Sequence, residues 1–255
     1  MTLDRDGYEL EFEDQFDQAE LDGRWLRFYA PHWSSRAATA TRFTTGDGRL
    51  RLRIDEDQQP WCPEFDGPIK CSALQTGQFS GPVGSEIGQY RFQPGLVVRE
   101  EQENVRLHTP QYGLFEIRCR ALDDPAAMVG LWMIGYEEEA PEQSGEILIC
   151  EIFGKNVGAG RAAVGMGIRP FGDPGLTDEF EEVELAIDAR DFHVYGAEWT
   201  PDLVRFFVDG EQVKISHQSP DYPMQFMLAL YEFPGEQTTH PKEFEIDWFR
   251  SYRRA

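Results

Sequence analysis

The stretch "SGEILICEIFG" (residues 144–154) places two glutamates, Glu146 and Glu151, in a run of Ile, Leu and Cys that is otherwise typical of a buried strand. On a regular strand, side chains five residues apart point to opposite faces. Glu151 would then lie on the same face as Ile147 and Ile149, where an unpaired carboxylate is costly. The stretch therefore predicts either an irregular strand or a solvated edge strand that leaves both glutamates in water.

A one-residue β-bulge near Ile149 and Cys150 removes the conflict, because the extra residue turns Glu151 onto the face that carries Glu146 and Leu148. The two glutamates are then four strand steps apart, roughly 13 Å between α-carbons at about 3.3 Å per step. If both side chains lean inward, we expect their carboxyl groups to approach to about 5 Å, which is the separation of the two acids in a retaining glycosidase.

Short alternating runs recur on both sides of this stretch, separated by Gly, Pro, Asp and Asn, and little of the chain has a helical period. This pattern predicts a mostly antiparallel β-sandwich. Asp209-Gly210, between two apolar runs, predicts a tight hairpin. The predicted strands are "YELEFED" (8–14), "RLRLRID" (49–55), "GLVVRE" (95–100), "GLFEIRCRA" (113–121), "GEILICEIF" (145–153), "RFFVDGEQVKI" (205–215), "MQFMLALY" (224–231) and "FEIDWFRSYRR" (244–254).

Three segments rich in Gly, Pro or charge are predicted to be irregular: 58–88, 137–143 and 165–178. Long loops in a compact domain are usually functional or mobile. No break in composition marks a linker and no internal repeat is present, so residues 1–255 are predicted to form a single domain.

The chain of 255 residues has a formal net charge of -22, and its apolar residues suffice for a sizeable core. Nucleic acids and anionic membranes need basic surface and are poor partners for such a chain, whereas a neutral substrate is not disfavoured. No run is long enough to span a bilayer, and "MTLDRDGYEL" lacks a signal-peptide pattern. We expect a cytoplasmic protein, or a secreted one if an export signal has been removed.

The four cysteines leave the redox environment open. Cys62 and Cys71 flank a Pro- and Gly-rich loop and could pair, whereas Cys119 and Cys150 lie in strand-like runs and are predicted to be buried thiols. No pair has the spacing of a metal site.

Motifs along nearly the whole chain resemble those of glycoside hydrolase family 16, the retaining β-glucanases and their relatives. The family motif Glu-x-Asp-x-x-Glu corresponds to Glu146-Ile-Leu148-Ile-Cys-Glu151, preceded by Gly145. The resemblance implies a concanavalin A-like jelly-roll sandwich of two curved antiparallel sheets, with a cleft on the concave sheet. The other similar stretches, in order, are "LEFEDQFDQAELDGRW" (10–25), "YGLFEIRCRAL" (112–122), "GLWMIG" (130–135), "FHVYGAEWTPDLVRFFVDGEQV" (192–213), "YPMQFMLAL" (222–230) and "FEIDWFRSY" (244–252).

By the resemblance, Glu146 is the nucleophile and Glu151 the general acid/base. An indole face suits the apolar face of a pyranose, and Glu, Arg and His side chains satisfy its hydroxyl groups. From pattern alone, the tryptophans could also be core residues, the glutamate a surface residue and the histidine a structural one. The implied substrate-binding residues are Trp132, Trp199, Glu116, Arg118 and His193.

Many family members hold a structural calcium ion between the first and last strands. Asp247 matches the aspartate of the closing strand, but Gln15 stands where the family often has Glu. The resemblance thus allows a structural calcium ion at Asp247 and requires no cofactor for the reaction.

The chain departs from the family at Leu148, where the motif has its central Asp. A leucine cannot donate a hydrogen bond, and it desolvates both neighbouring carboxylates, which favours their neutral forms. This favours a protonated Glu151 as general acid but disfavours an ionised Glu146 as nucleophile. Removal of a third carboxyl group also relieves repulsion, so the net effect is open.

Two functions therefore stay open. The first is an endo-acting retaining hydrolase of β-1,3- or mixed β-1,3/1,4-glucan that works through a glycosyl-enzyme intermediate. The second is a carbohydrate-binding relative with weak or no hydrolysis; another polysaccharide or a transglycosylase is a further alternative. In each case the partner is a poly- or oligosaccharide and the chain is expected to be a monomer. Tyr231 and Glu232, in "LYEFPGEQ" (230–237), are predicted to reshape one end of the cleft.

Overall fold

Antiparallel strands supply nearly all the regular structure in the computed structural model, which describes residues 1–235 and 239–255. The helices are short: α1 (Arg36–Thr39), α2 (Pro63–Asp66) and two 3₁₀ turns, Pro31–Trp33 and Gly154–Asn156. The strands are β1 (Tyr8–Asp14), β2 (Phe43–Thr45), β3 (Leu50–Ile54), β4 (Lys70–Gln75), β5 (Gly77–Gln78), β6 (Val105–Arg106), β7 (Gly113–Arg120), β8 (Ala127–Gly135), β9 (Glu146–Phe153), β10 (Val157–Gly158), β11 (Arg161–Arg169), β12 (Glu181–Leu185), β13 (His193–Trp199), β14 (Val204–Val208), β15 (Glu211–Ser216), β16 (Met224–Glu232) and β17 (Lys242–Arg254).

Two sheets contain all the strands except the β5–β6 pair. The eight-stranded sheet has the order β15-β14-β13-β7-β17-β3-β2, with β1 added along the second half of β17. The seven-stranded sheet has the order β10-β11-β9-β8-β16-β4, with β12 also paired to β11. The pairing of β1 with β17 brings the first and the last strand into one sheet.

The main core lies between the two sheets and combines inward side chains of both, such as Ile117 and Phe249 from one and Ile147 and Leu228 from the other. A second apolar cluster lies on the opposite face of the seven-stranded sheet, where loop residues such as Leu96 cover it. The seven-stranded sheet is therefore buried on both faces, which explains why β8 and β16 are buried at every position.

Most of the predicted strands are confirmed, including "GEILICEIF" as β9 and the hairpin between β14 and β15. In that hairpin Asp209 and Gly210 have φ values of 50° and 81°, as a tight two-residue turn requires. The prediction of a strand at 95–100 is wrong: Leu96 and Val98 are buried there as loop residues of the second cluster.

The prediction that 58–88 is irregular is also wrong in part, since β4 lies within it. "KCSALQ" lacks alternation because five of its six residues are buried, so polar and apolar side chains alike face protein on both sides. Likewise β11 continues to Arg169, inside the segment 165–178 that was predicted to be irregular.

All four cysteines are buried free thiols, as predicted for Cys119 and Cys150. The proposed pairing of Cys62 with Cys71 is not formed. Cys62 instead donates a hydrogen bond to the backbone oxygen of Trp33 at 3.4 Å. Burial raises the pKa of both of these thiols above the usual range.

Across residues 1–235 and 239–255, none of the helices combines the length and the apolar character needed to cross a bilayer.

Candidate active site

The bulge in β9 determines which side chains share a face. Against β8, Leu131 pairs with Cys150 and Trp132 with Leu148, so Ile149 is the extra residue. The register with β11 shifts at the same place, from Glu151 opposite Gly165 to Leu148 opposite Gly167. The predicted bulge is therefore confirmed. Ile149 enters the core between the sheets, and the two glutamates lie on the opposite face with Leu148.

Glu146, Leu148 and Glu151 line a cavity of about 300 Å³ on the loop-covered face of the seven-stranded sheet. We call it the aromatic cavity, because half of its lining residues carry aromatic rings. Its ring-bearing residues are Tyr29, Trp61, Tyr90, Phe92, Trp132, Tyr231 and Phe233, and its remaining lining residues are Asp66, Ile69, Met128 and Arg169.

Both glutamates are nearly removed from water, with 3% of Glu146 and 8% of Glu151 exposed. Burial raises the pKa of Glu146 to about 8, and the negative charge of Glu151 adds to the rise. Burial also raises the pKa of Glu151. The directions agree with the expectation that apolar surroundings favour the neutral carboxyl forms.

Arg169 is the one basic side chain among the described residues that lines the aromatic cavity. It lies at the end of β11, opposite Glu146 in the register, and its Nη2 is 3.4 Å from Oε2 of Glu151. Its guanidinium packs on the ring of Phe180 at 3.9 Å from the centroid. Its charge lowers the pKa of both glutamates and so opposes their burial. Sequence patterns did not point to Arg169, because it lies inside the segment 165–178 that was predicted to be irregular.

Trp132 is the predicted substrate-binding residue that the structure places at the cavity. It lies on β8 directly opposite Leu148, and its ring is stacked with that of Tyr231 at 6.2 Å. The indole N–H is buried and has no hydrogen-bond partner within the described residues. A buried donor without a partner is costly, so this N–H is available to a ligand oxygen in the cavity.

Loop residues supply much of the opposite wall, and sequence patterns did not identify them. The hydroxyl of Tyr231 donates to that of Tyr29, whose ring also packs edge-on against Trp61 at 4.6 Å. Tyr90 approaches Tyr29 with 6.0 Å between ring centroids. The runs "RFYAPHW" and "GQYRF" carry no strand period, and only their aromatic content could have drawn attention to them.

Trp199 and His193 are not at this cavity, and their assignment to the cleft is wrong. Both lie on β13 of the eight-stranded sheet. Trp199 is in the core between the sheets, where its indole N–H donates to the backbone oxygen of Pro220 at 3.1 Å. His193 bonds the carboxylate of Asp209 at 2.6 Å. Both have the structural role that their residue types equally allowed.

Glu116 and Arg118 are also wrongly assigned, because β7 belongs to the eight-stranded sheet. Glu116 is fully buried and accepts two hydrogen bonds from Arg5, at 2.6 and 3.0 Å. Arg118 forms an ion pair with Asp247 on β17. Both side chains are therefore engaged in pairs within or beside their own sheet.

The ion pair at Asp247 bears on calcium. The guanidinium of Arg118 donates a hydrogen bond to the carboxylate that would bind the ion. Among the residues that the structure describes, no three His, Cys, Asp or Glu side chains are grouped to hold a metal. These residues do not fit a cation at Asp247. The structural calcium ion stays a prediction that the arrangement does not support.

Tyr231 lines the aromatic cavity, as predicted, but Glu232 does not. The carboxylate of Glu232 is bonded by His240 at 2.7 Å and lies 3.4 Å from the amine of Lys70. Of the segment 230–237 to which both belong, Glu236 and Gln237 lie outside the described residues.

Comparison with known proteins identifies a family whose members this chain resembles. The model of glycosyl hydrolases family 16 matches residues 103–250, more than half of the chain. The endo-1,3-1,4-beta-glycanase ExsH of Rhizobium meliloti is 21% identical over 260 residues, which cover 99% of this chain and 53% of that protein. The chain spans about half the length of the curated relatives it matches.

Two solved structures share the fold over nearly the whole chain. The GlcNAcα1-4Gal releasing endo-β-galactosidase from Clostridium perfringens has a TM-score of 0.83 and 27% identity, covering 98% of this chain and 64% of that one. A laminarinase from Flavobacterium sp. UMI-01 has a TM-score of 0.67 and 20% identity, covering 96% of this chain and all of that one. These likenesses confirm the predicted jelly-roll sandwich. With a match to the family model that includes the bulged strand and both of its buried glutamates, the chain belongs to glycosyl hydrolases family 16.

Proposed function

We propose that this chain is a retaining glycoside hydrolase in which Glu146 is the nucleophile and Glu151 the general acid/base. The observation that carries the proposal is the bulge, which brings two buried carboxyl groups onto one wall of a ring-lined cavity. Burial raises the pKa of both glutamates, so the pair keeps a proton at a pH at which free glutamates have lost theirs, and that proton belongs to the pair as a whole. One ionised and one protonated carboxyl group is the state that retaining hydrolysis needs.

In the first step Glu151 donates its proton to the glycosidic oxygen, and the bond from that oxygen to the anomeric carbon breaks. The carboxylate of Glu146 forms a bond to the same carbon, so the sugar is held as a glycosyl ester. In the second step Glu151 removes a proton from water, which attacks the anomeric carbon and releases Glu146. The rings of Trp132 and Tyr231 offer apolar surface to a pyranose, and the unpartnered indole N–H supplies a donor for one of its oxygens.

The proposed substrate is an internal β-1,3 or mixed β-1,3/1,4 bond of a β-glucan. Relatives named endo-1,3-1,4-beta-glycanase and a structural neighbour named laminarinase support this choice. A neutral polymer also suits an acidic chain, since binding requires no basic surface.

A β-galactoside is a second candidate substrate. The observation in its favour is the Clostridium perfringens endo-β-galactosidase, whose structure superposes with a TM-score of 0.83, against 0.67 for the laminarinase. Loops that cover the cavity decide such a choice, and the cavity of this chain is covered by loops.

The test is the release of reducing ends from laminarin, lichenan and a β-1,4-galactan by the wild type, Glu146→Gln and Glu151→Gln. We expect wild-type activity on at least one glucan and a loss of at least about 1,000-fold in Glu146→Gln, because the glycosyl ester can no longer form. Glu139→Gln, which alters an exposed carboxylate, is the matched control. Cleavage of the galactan alone would favour the second candidate.

A carbohydrate-binding relative without hydrolysis remains the competing function, favoured by Leu148 at the centre of the motif. It predicts that Glu146→Gln and wild type bind laminarin equally while neither releases reducing ends. It also predicts that Leu148→Asp creates activity. Wild-type hydrolysis that Glu146→Gln abolishes would exclude it.

A further inference from the structure

A second chamber adjoins the aromatic cavity. It has a volume of about 740 Å³ and shares the lining residue Phe92 with the cavity. Ser144 also lines it, two residues before Glu146 on the same chain segment. We call it the outer chamber. Its size is that of a ligand site, and its position continues the cavity beyond the proposed nucleophile.

A pair of stacked rings stands between the two spaces. Tyr90 lines the aromatic cavity and Phe171 lines the outer chamber, with 5.3 Å between their centroids and 22° between their planes. Phe171 is 38% exposed, which is unusual for a phenylalanine and leaves part of its ring open to the chamber.

The backbone at this partition is strained. Tyr90, Glu137 and Phe171 have φ values of 58°, 63° and 49°, a region that bulky side chains rarely adopt. Glu137 also accepts a hydrogen bond from the backbone N–H of Tyr90 at 2.7 Å, so two of the strained residues hold one another. Strain of this kind persists where surrounding contacts impose it, often at ligand sites.

Hydrogen bonds join the two residues that follow Phe171 to the segment that leads into β9. The N–H of Gly172 donates to Oγ of Ser144 at 2.9 Å. Tyr222 accepts from the N–H of Gly145 at 2.8 Å and donates to Asp173 at 2.7 Å. The backbone next to Phe171 is therefore anchored beside the residues that precede Glu146, so a ligand that spans both spaces would meet a fixed support.

We propose that the outer chamber is a second carbohydrate subsite, in which a sugar unit of the same substrate chain stacks on Phe171. The inference rests on the proposed function. Arg91, Gln93 and Glu142 line the chamber beside Phe171 and offer partners to hydroxyl groups. Charges of both signs and a flat apolar face suit a neutral sugar and do not favour an anionic one.

The experiment measures binding of β-1,3-gluco-oligosaccharides of two to six units by calorimetry, in a Glu146→Gln background that does not cleave them. Phe171→Ala and Phe171→Leu remove the flat ring, whereas Phe171→Tyr keeps it. Ile215→Ala, an exposed apolar residue on the eight-stranded sheet, is the matched control. Near-ultraviolet circular dichroism checks that each variant is folded.

We expect affinity to rise with oligosaccharide length when Phe171 or Tyr is present. Phe171→Ala and Phe171→Leu should lose about 3- to 10-fold in affinity for the long oligosaccharides only, because short ones do not reach the chamber. The chamber proposal would be overturned, and the proposed function left intact, if the protein with Phe171 clearly binds the oligosaccharides and all variants bind them with equal affinity at every length. No binding at any length would count against both.

Discussion

At the scale of single residues, solvent exclusion dominates the two glutamates. The largest contribution to the pKa of each is burial, and Arg169 is the cation that opposes it. Leu148 lies between them in sequence, is itself 3% exposed, and adds neither a charge nor a hydrogen bond. The pKa values of the two glutamates therefore depend on the guanidinium of Arg169 and on the exclusion of water. The pH dependence of the reaction should be sensitive to both.

The pH profile of kcat/KM should be bell-shaped, since one carboxyl group must be ionised and the other protonated. The upper limb should lie near pH 8, where the last proton leaves the pair and no general acid remains. The lower limb should lie above the ordinary glutamate value of 4.5, because burial raises the pKa of Glu151 as well. An upper limb near pH 6 would contradict this electrostatic account.

Replacement of Arg169 by Met should move both limbs to higher pH, because the guanidinium lowers the pKa of both glutamates. Arg169→Lys keeps a positive charge and should move them less. The measurement is kcat/KM against pH for the three proteins. Limbs that stay in place in the Met variant would mean that Arg169 does not act on the acids through its charge.

Glu146→Gln should also change stability in a pH-dependent way. The raised pKa means that the folded state holds a proton that the unfolded state has released between about pH 4.5 and about pH 8, so wild-type stability falls as pH rises through this range. A neutral glutamine avoids the loss, and the variant should be more stable than wild type at pH 8 by an amount on the order of a few kcal/mol.

The difference should vanish below pH 4.5, where glutamate is protonated in both states. Urea unfolding at both pH values measures it, with Glu139→Gln as the exposed control. Equal stabilities of wild type and Glu146→Gln at pH 8 would show that Glu146 is not desolvated as the structure indicates.

At the scale of elements, β9 works because its neighbours accommodate the bulge. Gly130 on β8 pairs with Glu151, next to the point where the register shifts. A Cβ at Gly130 would lie 2.7 Å from the backbone oxygen of Cys150, closer than real contacts. Because Gly130 has no side chain, the bulged part of β9 can lie close to β8. This close packing accommodates the bulge that directs Glu151 into the cavity.

Gly130→Ala should therefore destabilise the fold by about 1–3 kcal/mol, because the bulged backbone must move. It should also reduce hydrolysis by displacing Glu151. Gly158→Ala is the control, since its Cβ would meet only ordinary contacts at 3.7 Å and beyond. Thermal melts and reducing-end assays of both variants provide the comparison, and a Gly130→Ala variant as stable as the control would contradict the role given to this glycine.

At the scale of the whole molecule, the net charge of -22 acts on every conformation of the chain. Compactness brings like charges together and destabilises the folded state. Many carboxylates are paired with arginines, such as Glu9 with Arg253, but exposed pairs of this kind contribute little individually. Net repulsion should therefore outweigh local pairing in its response to salt.

Sodium chloride should stabilise the protein. Between about 0.02 M and about 0.5 M salt, the screening length shortens to a few ångströms, which weakens the repulsion between like charges. The melting temperature should therefore rise by a few degrees. Scanning calorimetry at fixed pH measures the change, with sodium sulfate excluded because it also strengthens apolar burial. A fall in the melting temperature would show that the ion pairs contribute more than repulsion costs.

Local sequence patterns predicted the all-β class, most of the strands and, through the bulge, the shared face of Glu146 and Glu151. Two signals carry these features: the alternation of side chains along a strand, and the cost of an unpaired carboxylate in an apolar core. Both can be read from neighbouring residues in the sequence. The sequence did not identify β4, because a strand buried on both faces carries no alternation, and it assigned a strand to 95–100, whose apolar residues cover the sheet as a loop.

Which motif residues meet depends on long-range strand pairing, which local patterns do not show. β7 and β13 carry Glu116, Arg118, His193 and Trp199 into the sheet opposite the acids, whereas Arg169 and the rings of Tyr29 and Tyr90 reach the cavity from other segments. The physical reason is that pairing between strands distant in sequence decides which sheet a side chain joins. A loop side chain acquires its neighbours only when the loop packs on a finished sheet.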